Sequence, residues 1–327
     1  MNIPEIGAGL VFGTGKTNLR VAQFEPSGEI MGELLVLGTP TTPKEFFAYT
    51  GRTILEAAAD KGARWAVLGV AGPVSVKVDA EDGVTQNLRV TNIRALKRKR
   101  GFDPVREMTK HDPAVGKLLN SGEFTFLTVN DGDLAAQAGA KLFAEEQDSV
   151  VADIIDGSGT GGAAVIRDTR FEEQLFHPLP GIWEMGHIPV SLDHPASTPE
   201  QSISGTALDG KFDRPIRDLE HNNPVFRTIA RGMANIAIVF GVTAAPDLIV
   251  ISGGIGIEAQ DKFKEALEAE INWFTSSDNP MADKVAKARI VYPDVSMADT
   301  YELYGAPGAM RSHLTSRIIN QLVRNTS

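Results

Sequence analysis

One short pattern occurs twice in this chain, and it limits the fold more than any other feature. VFGTGKTNLRVAQFEPSGEI and IIDGSGTGGAAVIRDTRFEE have the same shape: apolar strand, Gly/Thr-rich turn, apolar strand, turn, third strand. A repeated supersecondary unit of this size predicts a duplicated βββαβα layout. At 327 residues the chain is too long for one typical core and suits two lobes. Two such lobes would leave a cleft with the glycine turns facing each other.

The remaining pattern follows the same plan. In the first half, strands are expected over 9–13, 19–25 and 30–37, a helix over about 44–61 and a buried strand over 64–70. Residues 74–91 read as irregular or a hairpin, and 93–100 and 103–120 as helical. A strand over 124–129 and a helix over 134–143 follow. In the second half, strands are expected over 150–155, 163–167 and 170–174. Helices over 226–242 and 258–274 flank a strand over 248–252. A strand over 289–292 and a helix over 309–324 close the chain. Apolar alternation, Pro26-Ser27-Gly28 and similar turn signals carry these assignments.

Glycine and threonine in a tight turn suit phosphate. Glycine lets backbone N–H groups approach the phosphate oxygens, and threonine adds a hydroxyl donor. Gly13-Thr14-Gly15-Lys16-Thr17 and Gly157-Ser158-Gly159-Thr160-Gly161-Gly162 both qualify. A third glycine run, Ser252-Gly253-Gly254-Ile255-Gly256, lies between a strand and a helix, where a nucleotide can rest on a helix N-terminus. Gly15-Lys16-Thr17 is not a P-loop, because Leu10 stands where that motif needs glycine and a strand follows the threonine.

Composition removes several functions. The chain has no cysteine, which excludes disulfides, thiolate nucleophiles and Cys-ligated zinc. Its net charge of −10 argues against a nucleic-acid partner, and the basic run at 94–106 reads as a solvated helix face. No segment before the first strand is long enough for a helix-turn-helix. No stretch is read as a membrane span or signal peptide, so no membrane partner and a cytoplasmic location are expected.

Three polar islands complete the pattern. Asn130-Asp131 ends the strand over 124–129 and opens a helix; an Asp there can accept a proton while the adjacent Asn orients the donor. Glu184-Met185-Gly186-His187 adds a carboxylate and an imidazole suited to sugar hydroxyls. Glu200 precedes Ser204-Gly205-Thr206-Ala207. In this order the islands suggest a polyol site with one base.

These segments resemble the ROK family of repressors, open reading frames and sugar kinases, within the actin-like ATPases, over nearly the whole chain. TNLRVA is similar to its first phosphate loop and VNDGDLAAQA to its catalytic Asn-Asp segment. GSGTGG is similar to its second phosphate loop, GIWEMGHIPV to its Glu-x-Gly-His signature, EQSISGTAL to its sugar-binding Glu, and ISGGIG to its adenosine loop. GVAGPV and YGAPGAM match further landmarks.

The resemblance implies an α/β, two-lobed actin-like ATPase (ribonuclease H-like) fold. The smaller lobe would be 1–128 with the helix over 309–324, and the larger 129–308. It implies ATP- and Mg²⁺-dependent phosphorylation of a hexose or N-acetylhexosamine, with Asp131 as general base. Asn92, Asn130, Glu184, His187 and Glu200 would hold the sugar. Gly15, Lys16, Thr17, Asn18, Gly157, Ser158, Gly159, Thr160, Gly161, Gly253 and Gly254 would hold the nucleotide. A homodimer is expected.

Two departures matter most. Aligned on Thr17-Asn18, the carboxylate that leads the family's first phosphate loop is replaced by Gly13, and Asp156 is the stand-in considered for organising the metal. The family's cysteine-rich zinc site is replaced by SLDHPASTP, so no structural zinc is expected although His187 and His194 remain. A third departure is a longer stretch, with a basic helix, between Asn92 and Asn130. The competing expectation is a sugar-binding sensor that lost transfer.

Overall fold

A computed structural model of the chain describes residues 4–15, 17–72, 74–79, 83–88, 103–171, 173–179, 185–188, 198–276 and 285–326; side chains at 75–79, 83–88 and 322–326 are outside that description. Lys16, Asn92, Glu184 and His194 therefore lie outside the described residues, as does the helix expected over 93–100. The chain divides into two compact units. One comprises Met1–Leu134, Thr169–Leu175 and Glu302–Ser327, the other Ala135–Asp168 and Phe176–Tyr301.

The first unit begins with β1 (Gly9–Thr14), β2 (Asn18–Phe24), β3 (Ile30–Gly38), α1 (Pro43–Lys61) and β4 (Trp65–Val70). β5 (Val74–Asp79) and β6 (Gly83–Leu88) form a separate antiparallel hairpin. Two short helices, α2 (Pro104–His111) and α3 (Pro113–Asn120), lead to β7 (Thr125–Asn130) and α4 (Asp131–Phe143). The sheet order is β3-β2-β1-β4-β7. β1 is antiparallel to β2 and parallel to β4, and β4 is parallel to β7.

Every residue of β1 and β4 is buried. Such strands are covered on both faces, which explains their continuous apolar runs. One face carries Leu10, Phe12, Phe46, Phe47 and Ile54 in the core beneath α1. The other carries Val11, Ala22, Phe24 and Trp65, packed with Leu303, Ala306 and Met310 at the start of the last helix. Edge strand β3 is far more open, with Leu35 46% and Val36 43% exposed. Thr42 caps α1 by accepting from the Glu45 N–H at 3.2 Å, and Gly62 ends it at φ 65°. The single helix expected over 103–120 is two, because Asp112-Pro113 breaks the first and caps the second.

The second unit repeats the plan. β8 (Val150–Asp156), β9 (Thr160–Arg167), β10 (Phe176–Pro178), β11 (Leu248–Ser252) and β12 (Arg289–Val291) form a sheet of order β10-β9-β8-β11-β12. β8 is antiparallel to β9 and parallel to β11, and β11 is parallel to β12. Position by position this is the topology of the first sheet, as the duplicated sequence pattern requires. α5 (Pro199–Ser202), α6 (Gly205–Leu208), α7 (Val225–Thr243), α8 (Gly253–Glu258) and α9 (Gln260–Thr275) complete it, and α10 (Ala306–Thr326) returns to the first unit.

Three expectations change. The third strand of the second meander is Phe176–Pro178 rather than 170–174: Phe176 pairs with Arg167, and the residues between form a longer turn. The glycine run after β11 is no loop; it is the helix α8, with Gly253 at φ 82° at its start. Finally, α7 is long and apolar enough to cross a membrane by composition, which the sequence reading missed. Its apolar stretch is 61% buried, with Phe226, Ile229, Met233, Ile236 and Phe240 in the core beside α9. Core packing therefore accounts for its hydropathy.

Candidate active site

The first constellation lies along one edge of the first sheet. Register places Thr14 beside Val70, and Val70 beside Asn130. These are the carboxyl ends of three adjacent parallel strands, where ligands of open α/β sheets bind. The first turn is short: Gly15 N–H donates to Asn18 O at 2.8 Å. Thr39 straps it from beyond β3, through its N–H to Thr17 O and its hydroxyl to Gly15 O. Thr14 Oγ1 donates to Gly69 O at 2.6 Å and ties the turn to β4.

Asn130 and Asp131 sit where β7 ends and α4 begins, as expected. The Asn130 amide donates to Gly72 O at 2.8 Å, and its carbonyl accepts from Gly132 N–H at 2.8 Å. Asn130 thus holds the loop after β4 against the start of α4. Asp131 Oδ1 also accepts from Gly132 N–H, at 3.0 Å. Both lie at a helix N-terminus, where the dipole favours a carboxylate.

Asp133 lies two residues further on, in the first turn of α4, and no motif in the sequence points to it. Burial pushes its carboxyl up to about 6, so here desolvation outweighs the helix dipole.

The second constellation surrounds the second turn. The turn is tighter than expected, because Asp156 pairs with Thr160 and Gly157 N–H donates to Gly159 O at 2.8 Å. Gly161 and Gly162 are consequently strand residues paired with Ile155 and Ile154.

Three glycines let the chain pack onto this hairpin. A Cβ on Gly186 would lie 1.9 Å from Thr160 O, and one on Gly205 2.7 Å from Gly157 O. Gly253 stacks on the Asp156 backbone, and the backbone of Gly254 follows it beside Gly157. Gly205 N–H donates to Gly157 O at 2.6 Å, and Thr206 Oγ1 to Ser158 O at 2.6 Å.

Thr160 joins two of the singled-out carboxylates. Its N–H donates to Glu200, and its hydroxyl donates to Asp156 Oδ1 at 2.8 Å. Asp156 is fully buried, and its Oδ2 has no partner among the described residues. Burial raises its carboxyl well above the ordinary range; the Thr160 hydrogen bond opposes this and the charge of Glu200 adds to it. His187, by contrast, is exposed at the end of a single 3₁₀ turn, Met185–His187.

The two matching sheets, each a three-stranded meander extended by parallel strands, define the actin-like ATPase fold. Solved structures with this fold include a ROK hexokinase from Thermus thermophilus, 18% identical at TM-score 0.66 over 95% of this chain and 99% of that one. A ROK family glucokinase from Streptomyces griseus, solved with glucose and AMPPNP, is 19% identical at TM-score 0.62 over 92% and 98%. A ROK family transcriptional regulator, a homolog of the E. coli MLC protein, is 15% identical at TM-score 0.63 over 94% of this chain and 81% of that one. No family model and no curated protein matches the sequence.

Proposed function

We propose that this protein is an ATP-dependent kinase of a hexose or N-acetylhexosamine, with Asp131 as general base. The observation that carries the reading is the coincidence of fold and motif. The chain matches sugar kinases over nearly their full length, and Asn130-Asp131 stands at the carboxyl end of the central parallel strands.

Phosphoryl transfer depends on positioning and charge neutralisation more than on covalent chemistry. Asp131 would take the proton of the attacking hydroxyl, with Asn130 fixing the turn on which it sits. Glu200, with Asn92, Asn130, Glu184 and His187, would hold the sugar. Backbone N–H groups of the turns at 15–18 and 157–161, with Lys16, and Gly253-Gly254 would receive the nucleotide.

Mg²⁺, which would supply charge neutralisation at the phosphates, fits the chain's oxygen-rich donors. Among the described residues no three His, Asp, Glu or Cys form a preformed cage. Mg²⁺ is usually held by one or two carboxylates together with substrate phosphates and water. Asp156, with one oxygen unpartnered among the described residues, is one candidate. No structural zinc is expected, and a cytoplasmic homodimer completes the reading.

A coupled ADP-release screen over a panel of hexoses and N-acetylhexosamines with Mg²⁺ tests the function. At least one sugar should stimulate release. The likeness to a transcriptional regulator keeps a sensor as the second reading. Sugar binding by calorimetry without ADP release from any sugar would favour the sensor and sink the kinase.

A further inference from the structure

The absence of a side chain at Gly13 has a structural counterpart. A Cβ built on Gly13 would lie 2.8 Å from Glu302 Oε1 and 2.6 Å from Leu303 Cδ2. The space in front of Gly13 is therefore filled by a carboxylate that arrives from the segment Tyr301–Gly305, just before α10. Arg20, directly across the β1–β2 ladder from Gly13, holds that carboxylate through Nη1 to Oε1 at 3.2 Å.

The pair is not sealed in the core. The Glu302 side chain is 27% exposed and that of Arg20 20%. One residue beyond Gly13 the glycine turn begins. Thr14 and Gly15 are pinned there by Gly69, Asn18 and Thr39, so the turn itself is held in place beside the carboxylate.

The geometry points to Glu302 as the carboxylate that organises Mg²⁺ beside the first glycine turn. This inference rests on the nucleotide site of the proposed kinase. Backbone N–H groups can cradle phosphates but cannot hold a hydrated cation; a hard oxygen ligand must stand beside them. β1 offers none at Gly13, and any substituent there would displace Glu302. Glu302 is a better candidate than Asp156. Asp156 is fully buried, with one oxygen already taken by the Thr160 hydroxyl, so a hydrated ion has no open approach to it. Glu302 is partly solvated, and its carboxylate is held at the surface of the first unit by the Arg20 guanidinium. Arg20 is then a positioning residue that holds one oxygen of the carboxylate next to Gly13.

Calorimetry with a non-hydrolysable ATP analogue, with and without Mg²⁺, tests this on the full-length protein without needing turnover. In wild type, Mg²⁺ should tighten analogue binding roughly tenfold or more. Glu302→Gln should abolish that gain while keeping the Mg²⁺-free affinity. The double variant Gly13→Asp with Glu302→Ala moves the carboxylate onto β1 and should recover part of the gain that Glu302→Ala loses. Thermal unfolding of each variant shows that it is folded.

A full Mg²⁺ gain in folded Glu302→Gln overturns the inference, and loss of the gain in Asp156→Asn alone assigns the role to Asp156 instead. Wild type that binds the analogue equally with and without Mg²⁺ also overturns it and leaves the nucleotide site standing. Wild type that binds no analogue at all sinks the kinase reading together with the inference.

Discussion

The two glycine turns occupy the same place in the same topology, yet they are closed in different ways. At the first, the space before Gly13 is filled by side chains, Glu302 and Leu303, which can rotate. At the second, the neighbours are backbone: Thr160 O against Gly186, Gly157 O against Gly205, and Asp156 against Gly253. The polar partners differ too. A partly buried ion pair flanks the first turn, whereas a fully buried carboxyl and Glu200 are knotted through Thr160 at the second. Duplication fixed the strand order of both halves and left each turn's surroundings free to diverge.

The sharpest contrast concerns two aspartates at strand ends, Asp131 after β7 and Asp156 at the end of β8. Asp131→Asn should lower sugar phosphorylation by roughly a hundredfold or more, as loss of a general base does, with sugar binding retained. Asp156→Asn should keep chemistry and chiefly weaken nucleotide binding. Steady-state kinetics on the best sugar decides, and wild-type turnover in Asp131→Asn would remove it as the base.

Closure by backbone should tolerate less change than closure by side chains. Gly186→Ala, which forces a methyl into Thr160 O, should cost about 3 kcal/mol, and Gly13→Ala about 1 kcal/mol as its neighbours move aside. Equal losses in urea unfolding would contradict the contrast.

Asp133 gives the first unit a pH signature. Its carboxyl is pushed up to about 6 from 3.8 by burial, so the folded state binds the proton more tightly than the unfolded state. This carboxyl therefore stabilises the fold least above pH 6, and stability falls as pH rises from about 4 to about 6. Asp133→Asn should flatten that decline and gain about 2 kcal/mol at pH 7, where each pKa unit is worth about 1.4 kcal/mol and partial solvation trims the full shift. Melting temperatures of both proteins from pH 4 to 8 test the sign.

The smallest effect tests whether the second turn couples two ligands. Glu200→Gln should weaken sugar binding about tenfold, the cost of a poorly matched buried hydroxyl. Because Glu200 also accepts from Thr160 N–H in the turn, nucleotide affinity should change by a few-fold as well. Calorimetry showing a sugar effect with no nucleotide effect would uncouple Glu200 from the turn.

Continuous apolar runs, Gly/Thr turns and the repeated meander determined the two five-stranded sheets, since strand patterning and turn chemistry are local. The place of Asp131, between β7 and α4, was legible for the same reason. The sequence misjudged what depends on neighbours distant in the chain. Residues 170–174 have strand-like content, but Phe176 is the residue that pairs with Arg167. α7 has the apolar content of a span, and its packing beside α9 is what that content serves. Gly253 and Gly254 read as a loop, although they begin the helix α8, with Gly253 set against the Asp156 backbone.

The tertiary structure alone decided the carboxylates. Nothing local to Thr160 announces that it joins Asp156 and Glu200, and nothing near Gly13 announces Glu302, whose partner Arg20 is 282 residues away. Side-chain hydrogen bonds and desolvation act through space, so they leave no periodic trace in the sequence. Packing also raised the Asp133 and Asp156 carboxyls, because burial is a property of the assembled core and not of the residue.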